Sequence, residues 1–148
     1  MLRRAFPALL AAALPFRAAR AQEDGLALAR EYVARHRATL PDLRDLGLGA
    51  SGGGDAVSQP VRDAVDAELV TAEPAYREAL AGALAEGLSV ETLRAALADG
   101  SIRTAIAASP NPRRLVGTLN RLTFEAVTGM AERAMRGACP SGEPCTGR

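Results

Sequence analysis

The sequence predicts an all-α protein, a small bundle of short amphipathic helices between a cleaved leader and a disordered or disulfide-looped tail. Apolar residues recur every three or four positions along much of the 148-residue chain, which is the spacing of one helix face. Prolines, serines and glycines stand where helices begin and end, and no segment alternates apolar and polar residues over strand length. We divide the chain into a leader, an N-terminal helical segment, a glycine-rich linker, a helical domain and a tail, over residues 1–21, 22–46, 47–59, 60–137 and 138–148.

The leader reads as an export signal. The basic pair Arg3 and Arg4 precedes an apolar stretch of about a dozen residues, which is shorter than the ~20 residues that span a bilayer as a helix. A small-x-small triplet ends at Ala21, so we expect cleavage between Ala21 and Gln22. The alternatives are an amphipathic anchor or a buried first helix. The mature chain is expected to be periplasmic, without a transmembrane segment.

The residues of the leader indicate an export signal more clearly than they indicate which export route it uses. The arginine pair followed by Ala5 and Phe6 resembles the twin-arginine motif, and the apolar stretch is only mildly hydrophobic. Because the residues around the pair do not complete that motif, the general secretory route is favoured.

Charge argues against a nucleic-acid partner. All 18 basic residues are arginine, and four of them but none of the 17 acidic residues lie in the leader. The exported chain is therefore mildly acidic, which is unfavourable for binding nucleic acid. Its aromatic residues are Tyr32, Tyr76 and Phe124, so the core must be built mainly from leucine, alanine and valine.

The first helix of the exported chain is predicted over residues 24–38. Asp24 is a candidate N-cap. One face carries Ala29, Tyr32, Val33 and His36. Glu31 and Arg35 are four residues apart in the order that favours a surface ion pair. A leucine-proline step ends the helix, with one more turn expected over residues 41–46.

The glycine-rich stretch 47–54 is predicted to be flexible by its composition. A helix then begins at Gln59 and is expected to end at Glu73, before Pro74. Pro74 is expected to open the next helix, since proline suits a first helical position, and Gly87 to close it.

Three more helices follow, and each has a polar residue at its start. Ser89, Ser101 and Asn111 can accept an N–H of the first turn. The expected ends are Gly100, the Ser109-Pro110 step and Gly137. The last helix is the longest, and its apolar stripe comprises Leu115, Leu119, Leu122, Ala126, Val127, Met130 and Ala134.

The glycines at residues 47–52 match the spelling G-x-G-x-x-G. That motif binds a dinucleotide only where a strand precedes it and a helix N-terminus follows. The preceding residues make no strand, so we interpret these glycines as a linker and expect no cofactor.

The remaining polar groups form no recognisable catalytic or metal site. His36, the only histidine, lacks the further ligands that zinc needs and is interpreted as the polar edge of the first helix. No serine stands in a nucleophile setting. The carboxylates Asp63, Asp66, Glu68 and Glu73 are interpreted as a solvated face. We assign no catalytic, cofactor-binding or metal-ligating residue.

The arginines of the last helix could form a basic stripe that binds an anionic headgroup or an acidic partner. Two pairs four residues apart, Arg121–Glu125 and Glu132–Arg136, favour paired surface charge instead.

Cys139 and Cys145 enclose a short proline- and glycine-containing segment. In an oxidising compartment they are expected to form a disulfide that pins the tail. Free thiols or a bond to a partner are the alternatives. The spacing is neither that of a thiol oxidoreductase nor that of haem attachment.

Residues 74–136 resemble a family of short exported bacterial helical proteins of unknown function. The resemblance is carried by the segments Tyr76 to Leu80, Leu88 to Leu93 and Ala108 to Pro110. The chain departs over residues 99–107, where that family tends to carry a Phe-Tyr pair. The resemblance implies an exported helical protein and no particular activity.

Amphipathic helices without a convergent polar cluster favour a non-enzymatic interaction or adaptor protein of the cell envelope. The expected partner is a protein. A carrier of a small apolar ligand or lipid, enclosed by residues 115–134, is the alternative.

Overall fold

The computed structural model describes residues 13–52 and 57–139, with side chains from residue 21 onward. Within these ranges the chain forms six α-helices, one short 3-10 turn at Arg37–Thr39 and no strand. The predicted all-α class is therefore confirmed. The helices are α1 (Ala13–Arg35), α2 (Leu43–Ala50), α3 (Gln59–Gly87), α4 (Val90–Asp99), α5 (Ile102–Ala107) and α6 (Pro112–Ala138).

Helix α3 is the centre of the bundle. It packs against α6, α1 and α2. Helix α2 also packs on α6, α4 packs on α1, and α5 joins α4 to α6. The largest fully buried side chains come from four of the helices and meet in one core: Tyr32, Val65, Leu84, Leu93 and Met130. Leucine, valine, alanine and two tyrosines make up most of this core, as the composition predicted.

The predicted helix end before Pro74 is wrong, because α3 continues through this residue. Proline has no N–H, so the carbonyl of Val70 loses its helical partner at a cost of about 3 kcal/mol. Pro74 is exposed, so water can solvate that carbonyl. Buried residues on both sides hold the two halves in line, among them Val65 before and Tyr76 after the proline. Each contributes roughly 1.5–3 kcal/mol by burial, and their sum exceeds the cost of the proline.

The predicted linker begins too early. Helix α2 extends to Ala50, where a single turn ending near residue 46 was expected. Asp42 caps it by accepting the N–H groups of Arg44 and Asp45 at 2.8 and 3.2 Å. Gly47 is buried in α2, and a Cβ there would meet Met130 Cε of α6. Glycine therefore allows α2 to approach α6 at this position.

Three of the four predicted caps are confirmed. Ser89, Ser101 and Asn111 accept the N–H groups of the residues three positions ahead at 3.2, 3.2 and 3.1 Å. Gly100 ends α4 in the left-handed region, with φ +73°, where only glycine is free of strain. Asp24 is not a cap, because it lies inside α1, which already includes Ala13.

Candidate functional site

The predicted cleavage residues lie in the middle of α1. Ala21 and Gln22 are both exposed, and the helix continues through them without interruption. The first buried position of α1 among the described side chains is Gly25. Gln22 and the residues after it therefore include the part of α1 that packs on α3 and α4.

The predicted disulfide falls partly outside the described residues. Cys139 follows α6, and its backbone N–H donates to the carbonyl of Met135 at 2.9 Å. Cys145 lies outside the described residues, so the pairing stays a prediction.

His36 is packed more closely than the sequence indicated. Its ring contacts that of Tyr32 with centroids 4.6 Å apart, and its Cε1 lies against Gly100. Its Nε2 is buried and has no hydrogen-bond partner among the described residues. Tyr32 donates from its hydroxyl to the Gly100 carbonyl at 3.3 Å. Burial is the main cause that raises the pKa of Tyr32, so its hydroxyl keeps the proton that it donates. Tyr32 and His36 therefore both pack at the junction between α4 and α5, Tyr32 through its hydrogen bond to Gly100 and His36 through its ring contacts.

The glycines of the G-x-G-x-x-G spelling do not form a phosphate-binding loop. Gly47 and Gly49 lie inside α2, and Gly52, with φ +131°, lies in the turn after it. The residues that precede them form helix, so the strand that the motif requires is missing from this part of the described chain.

The carboxylates interpreted as a solvated face are mostly partners in ion pairs between helices. Asp66 pairs with Arg44 of α2, and Glu68 with Arg133 of α6, each at 2.6 Å. Arg30 of α1 donates to both oxygens of Glu78. Three neighbouring helices thus each place an arginine against a carboxylate of α3.

The paired surface charge that was favoured for the arginines of α6 is only partly present within that helix. The Arg121–Glu125 pair is long, at 3.9 Å, and Arg133 binds Glu68 on α3. The predicted Glu132–Arg136 pair is absent from the ion pairs that the described residues form. Arg113 and Arg114 are exposed at the start of the helix.

A cleft of about 570 Å³ lies between the end of α1, the loop after it, the start of α2 and the middle of α3. We call it the arginine cleft. Four arginines line it: Arg35, Arg37, Arg44 and Arg77. Its apolar lining comes from Leu40, Leu43, Leu69 and Tyr76. Its volume falls within the range of small-ligand sites, which is roughly 300–1,000 Å³.

Glu73 organises the charge in the arginine cleft. Arg37 donates from Nη2 to Glu73 Oε1 at 2.6 Å, and Arg77 donates to the same oxygen. The side chain of Glu73 is 27% exposed, whereas that of Arg37 is 64% exposed. One partly buried carboxylate therefore serves two guanidinium groups that come from different elements.

The other two arginines have their own partners. Arg35 pairs with Glu31 at 2.5 Å, which confirms that predicted pair. Arg44 donates to both carboxylate oxygens of Asp66, at 2.6 and 3.1 Å. These hydrogen bonds lower the pKa of Asp66 and raise that of Arg44. Arg44 is therefore held in place, while Arg37 extends into solvent.

A smaller cleft of about 280 Å³ adjoins the arginine cleft. It shares Glu73 and Arg77 with it, and Arg30, Ala34 and Pro74 also line it. Together the two clefts form a concave surface on both sides of the Glu73–Arg77 pair.

Asp42 and Glu73 also line the arginine cleft, but its four guanidinium groups leave an excess of positive charge that can recognise an anion. A guanidinium group carries five N–H donors in a planar fork that matches a carboxylate or phosphate. His36 contacts Tyr32 and Gly100 and is not part of the lining. In the described ranges, histidine, cysteine and acidic residues form no group of three that could hold a metal ion.

The cleft could not be read from the sequence. Its arginines are spread over residues 35–77 and belong to α1, the 3-10 turn, α2 and α3. The Glu31–Arg35 spacing identified one surface pair, but nothing in the linear pattern places Arg37 and Arg77 on one carboxylate.

The apolar pocket that the carrier hypothesis places within residues 115–134 stays a prediction. Leu115, Met130 and Ala134 of this segment are buried in the core, and two clefts border it, one beside Leu115 and the other beside Ala131. A further groove of about 630 Å³ runs between α1, the end of α3 and the start of α4, beside Ala21 and Gln22.

In the described residues the protein is an all-helical bundle with a surface cleft lined by four arginines. Comparison with protein-family models, with curated proteins and with solved structures found no match to this chain. Among the helices that the structure describes, none is both long and apolar enough to cross a membrane.

Proposed function

We propose that this is an exported, non-enzymatic interaction protein of the cell envelope that binds a protein partner through the arginine cleft. The observation that carries the proposal is the convergence of four arginines from four elements over an apolar lining. Arginine is enriched at the energetic centres of protein interfaces, because it combines an apolar stem with a planar donor group.

Export is supported by the leader and by the position of the cleavage residues. Arg3, Arg4 and the small residue Ala21 have the spacing of an export signal. Ala21 and Gln22 are exposed, and the next residues of α1 supply its packing face. Removal of residues 1–21 leaves that face on the mature chain.

Site-specific crosslinking in the cell tests the proposal. A photo-crosslinking amino acid replaces Ala38, an exposed residue that lines the cleft. The control position is Ala107, an exposed residue at the end of α5. We expect an adduct to one protein from position 38 but not from position 107, in chains that begin at Gln22.

Two outcomes would contradict the proposal. Equal crosslinking from both positions would show that the cleft is not the contact surface. A full-length chain recovered from the cytoplasm would contradict export.

A carrier of a small apolar ligand is the second candidate. The groove between α1, α3 and α4 favours it, because Leu26, Ala85, Leu88 and Val90 contribute to its lining. Native mass spectrometry of the protein from the periplasm would show a bound small molecule if this candidate is correct, and only the bare chain or a protein complex if it is not.

A further inference from the structure

We propose that the arginine cleft recognises the carboxylates of an acidic peptide segment, and that Glu73 occupies the site as an internal competitor. This inference rests on the proposed function, since it names the chemistry of the partner. Arg37 would be the residue that changes its carboxylate partner on binding.

Arg37 is best placed among the four arginines to make that exchange. It lies on the three-residue turn after α1, has a 64% exposed side chain, and forms one hydrogen bond to Glu73 among the described residues. Arg44 is held by two hydrogen bonds to Asp66. Because Arg37 is exposed and is held by a single hydrogen bond, it can exchange Glu73 for another carboxylate without disturbing the helices.

Glu73 remains paired when Arg37 is released. Arg77 lies one turn ahead on the same helix and donates to the same Glu73 oxygen. Releasing Arg37 therefore leaves no buried carboxylate without a partner, which is the outcome that would make the exchange costly. The exchange replaces one exposed ion pair by another, so the partner's other contacts decide the affinity.

The lining favours a peptide over a fatty acid. Leu43 and Tyr76 are only 4% and 5% exposed, and the Tyr76 hydroxyl is hydrogen-bonded to Thr123 Oγ1 at 2.8 Å. The accessible apolar lining comes mainly from the partly buried Leu40 and Leu69, which suits single leucine-sized side chains better than a long alkyl chain, whose binding depends on a large buried area. The adjoining cleft extends the surface across the Glu73–Arg77 pair and adds Arg30 beside its partner Glu78, which gives an extended segment further polar contacts.

Calorimetric titration of the full chain with a synthetic peptide tests the inference. The probe is a capped five-residue peptide that alternates glutamate and leucine, and its control has glutamine at the glutamate positions. We expect the glutamate peptide to bind with an affinity that falls as salt is added, and the glutamine peptide to bind at least roughly tenfold more weakly.

Two substitutions should act in opposite directions. Arg37→Gln should weaken binding of the glutamate peptide by a factor of about two to five, because it removes an exposed charged donor. Glu73→Gln should strengthen binding several-fold, because it removes the competing charge. If Arg37 and Glu73 served only to stabilise the fold, both substitutions would weaken binding of the peptide. Arg113→Gln, at the exposed start of α6, is the matched control and should leave binding unchanged.

The thermal unfolding midpoint of each variant identifies any variant that has lost its fold. The inference is overturned if folded Glu73→Gln binds the peptide more weakly than the unchanged protein. It is also overturned if decanoate or inorganic phosphate binds with Arg37 dependence while the glutamate peptide does not. Peptide binding without crosslinking in the periplasm would refute the proposed cellular function and leave the chemistry of the cleft intact.

Discussion

Two glycines of α3 differ in what surrounds them, although both lie in the same helix. A Cβ on Gly87 would lie 2.7 Å from Leu115 Cδ1 and 3.2 Å from Leu115 Cγ, whereas a Cβ on Gly82 would meet nothing within 4 Å. Leu115 is buried in the core, so it cannot move aside without disturbing its neighbours. Gly87 is therefore required by packing, and Gly82 is not.

This difference gives matched substitutions. Gly87→Ala is expected to lower the free energy of unfolding by roughly 1–3 kcal/mol through overpacking. Gly82→Ala is expected to raise it by about 0.5–1 kcal/mol, because alanine favours the helical conformation. Urea denaturation followed by circular dichroism measures both. Equal effects of the same sign would show that α3 does not approach α6 as described.

Pro74 shows how a helix as a whole can override a local signal. The surrounding turns of α3 are anchored by buried residues on both sides of it. The missing N–H therefore weakens one turn of α3, while buried residues on both sides of that turn hold the helix in the bundle.

Pro74→Ala restores the hydrogen bond to the Val70 carbonyl. We expect the free energy of unfolding to rise by up to about 3 kcal/mol. Pro60 is the control, because it lies in the first turn of the same helix, where proline leaves no carbonyl unpaired. Pro60→Ala should change the free energy of unfolding by less than about 0.5 kcal/mol. That is the usual range for a surface substitution that breaks no core packing, cap or buried hydrogen bond. Denaturant midpoints of the two variants provide the comparison, and a destabilised Pro74→Ala would contradict this account.

The ion pairs that join α3 to α1 and α2 predict a dependence on pH. Hydrogen bonds from Arg44 and Arg30 lower the pKa values of Asp66 and Glu78, respectively. A carboxyl group with a lower pKa in the folded chain stabilises the fold above its unfolded pKa of about 4 and loses that effect as pH falls through the folded value. Because both pairs are about half exposed, each contribution is small.

We therefore expect stability to decrease as pH falls below about 4, and to decrease less steeply in the Asp66→Asn, Glu78→Gln double variant. Chemical denaturation at a series of pH values measures the slopes. Glu132→Gln, an exposed site on α6, should leave the slope unchanged. Identical slopes for the double variant and the unchanged protein would show that these pairs do not form in solution.

Across the whole molecule, the ion pairs between α3 and its neighbours place the carboxylate on α3 and the arginine on the neighbouring element. Glu78 and Glu73 face α1 and the turn after it, Asp66 faces α2, and Glu68 faces α6. Pairs of this kind add little stability individually. Their common effect is to set opposite charges against each other where α3 meets its neighbours.

The features that the sequence predicted are those that local chemistry determines. The starts of α4, α5 and α6 depend on a side chain that bonds three residues ahead, so Ser89, Ser101 and Asn111 could be recognised without the fold. Gly47 could not be interpreted in the same way, because its role depends on Met130, more than 80 residues away in the chain. The arginine cleft could not be recognised either, because it forms only where three helices and a turn come together.

The continuity of α1 across Ala21 and Gln22 has a consequence for the timing of maturation. Proteolysis of a folded segment generally depends on its transient opening, and here the peptide bond lies among the hydrogen bonds of a helix. A precursor that folded first would therefore shield its own cleavage site, whereas one cut while still extended would complete α1 from a new N-terminus. If residues 1–21 are removed as proposed, the order in which the chain is cut and folds decides how fast it matures.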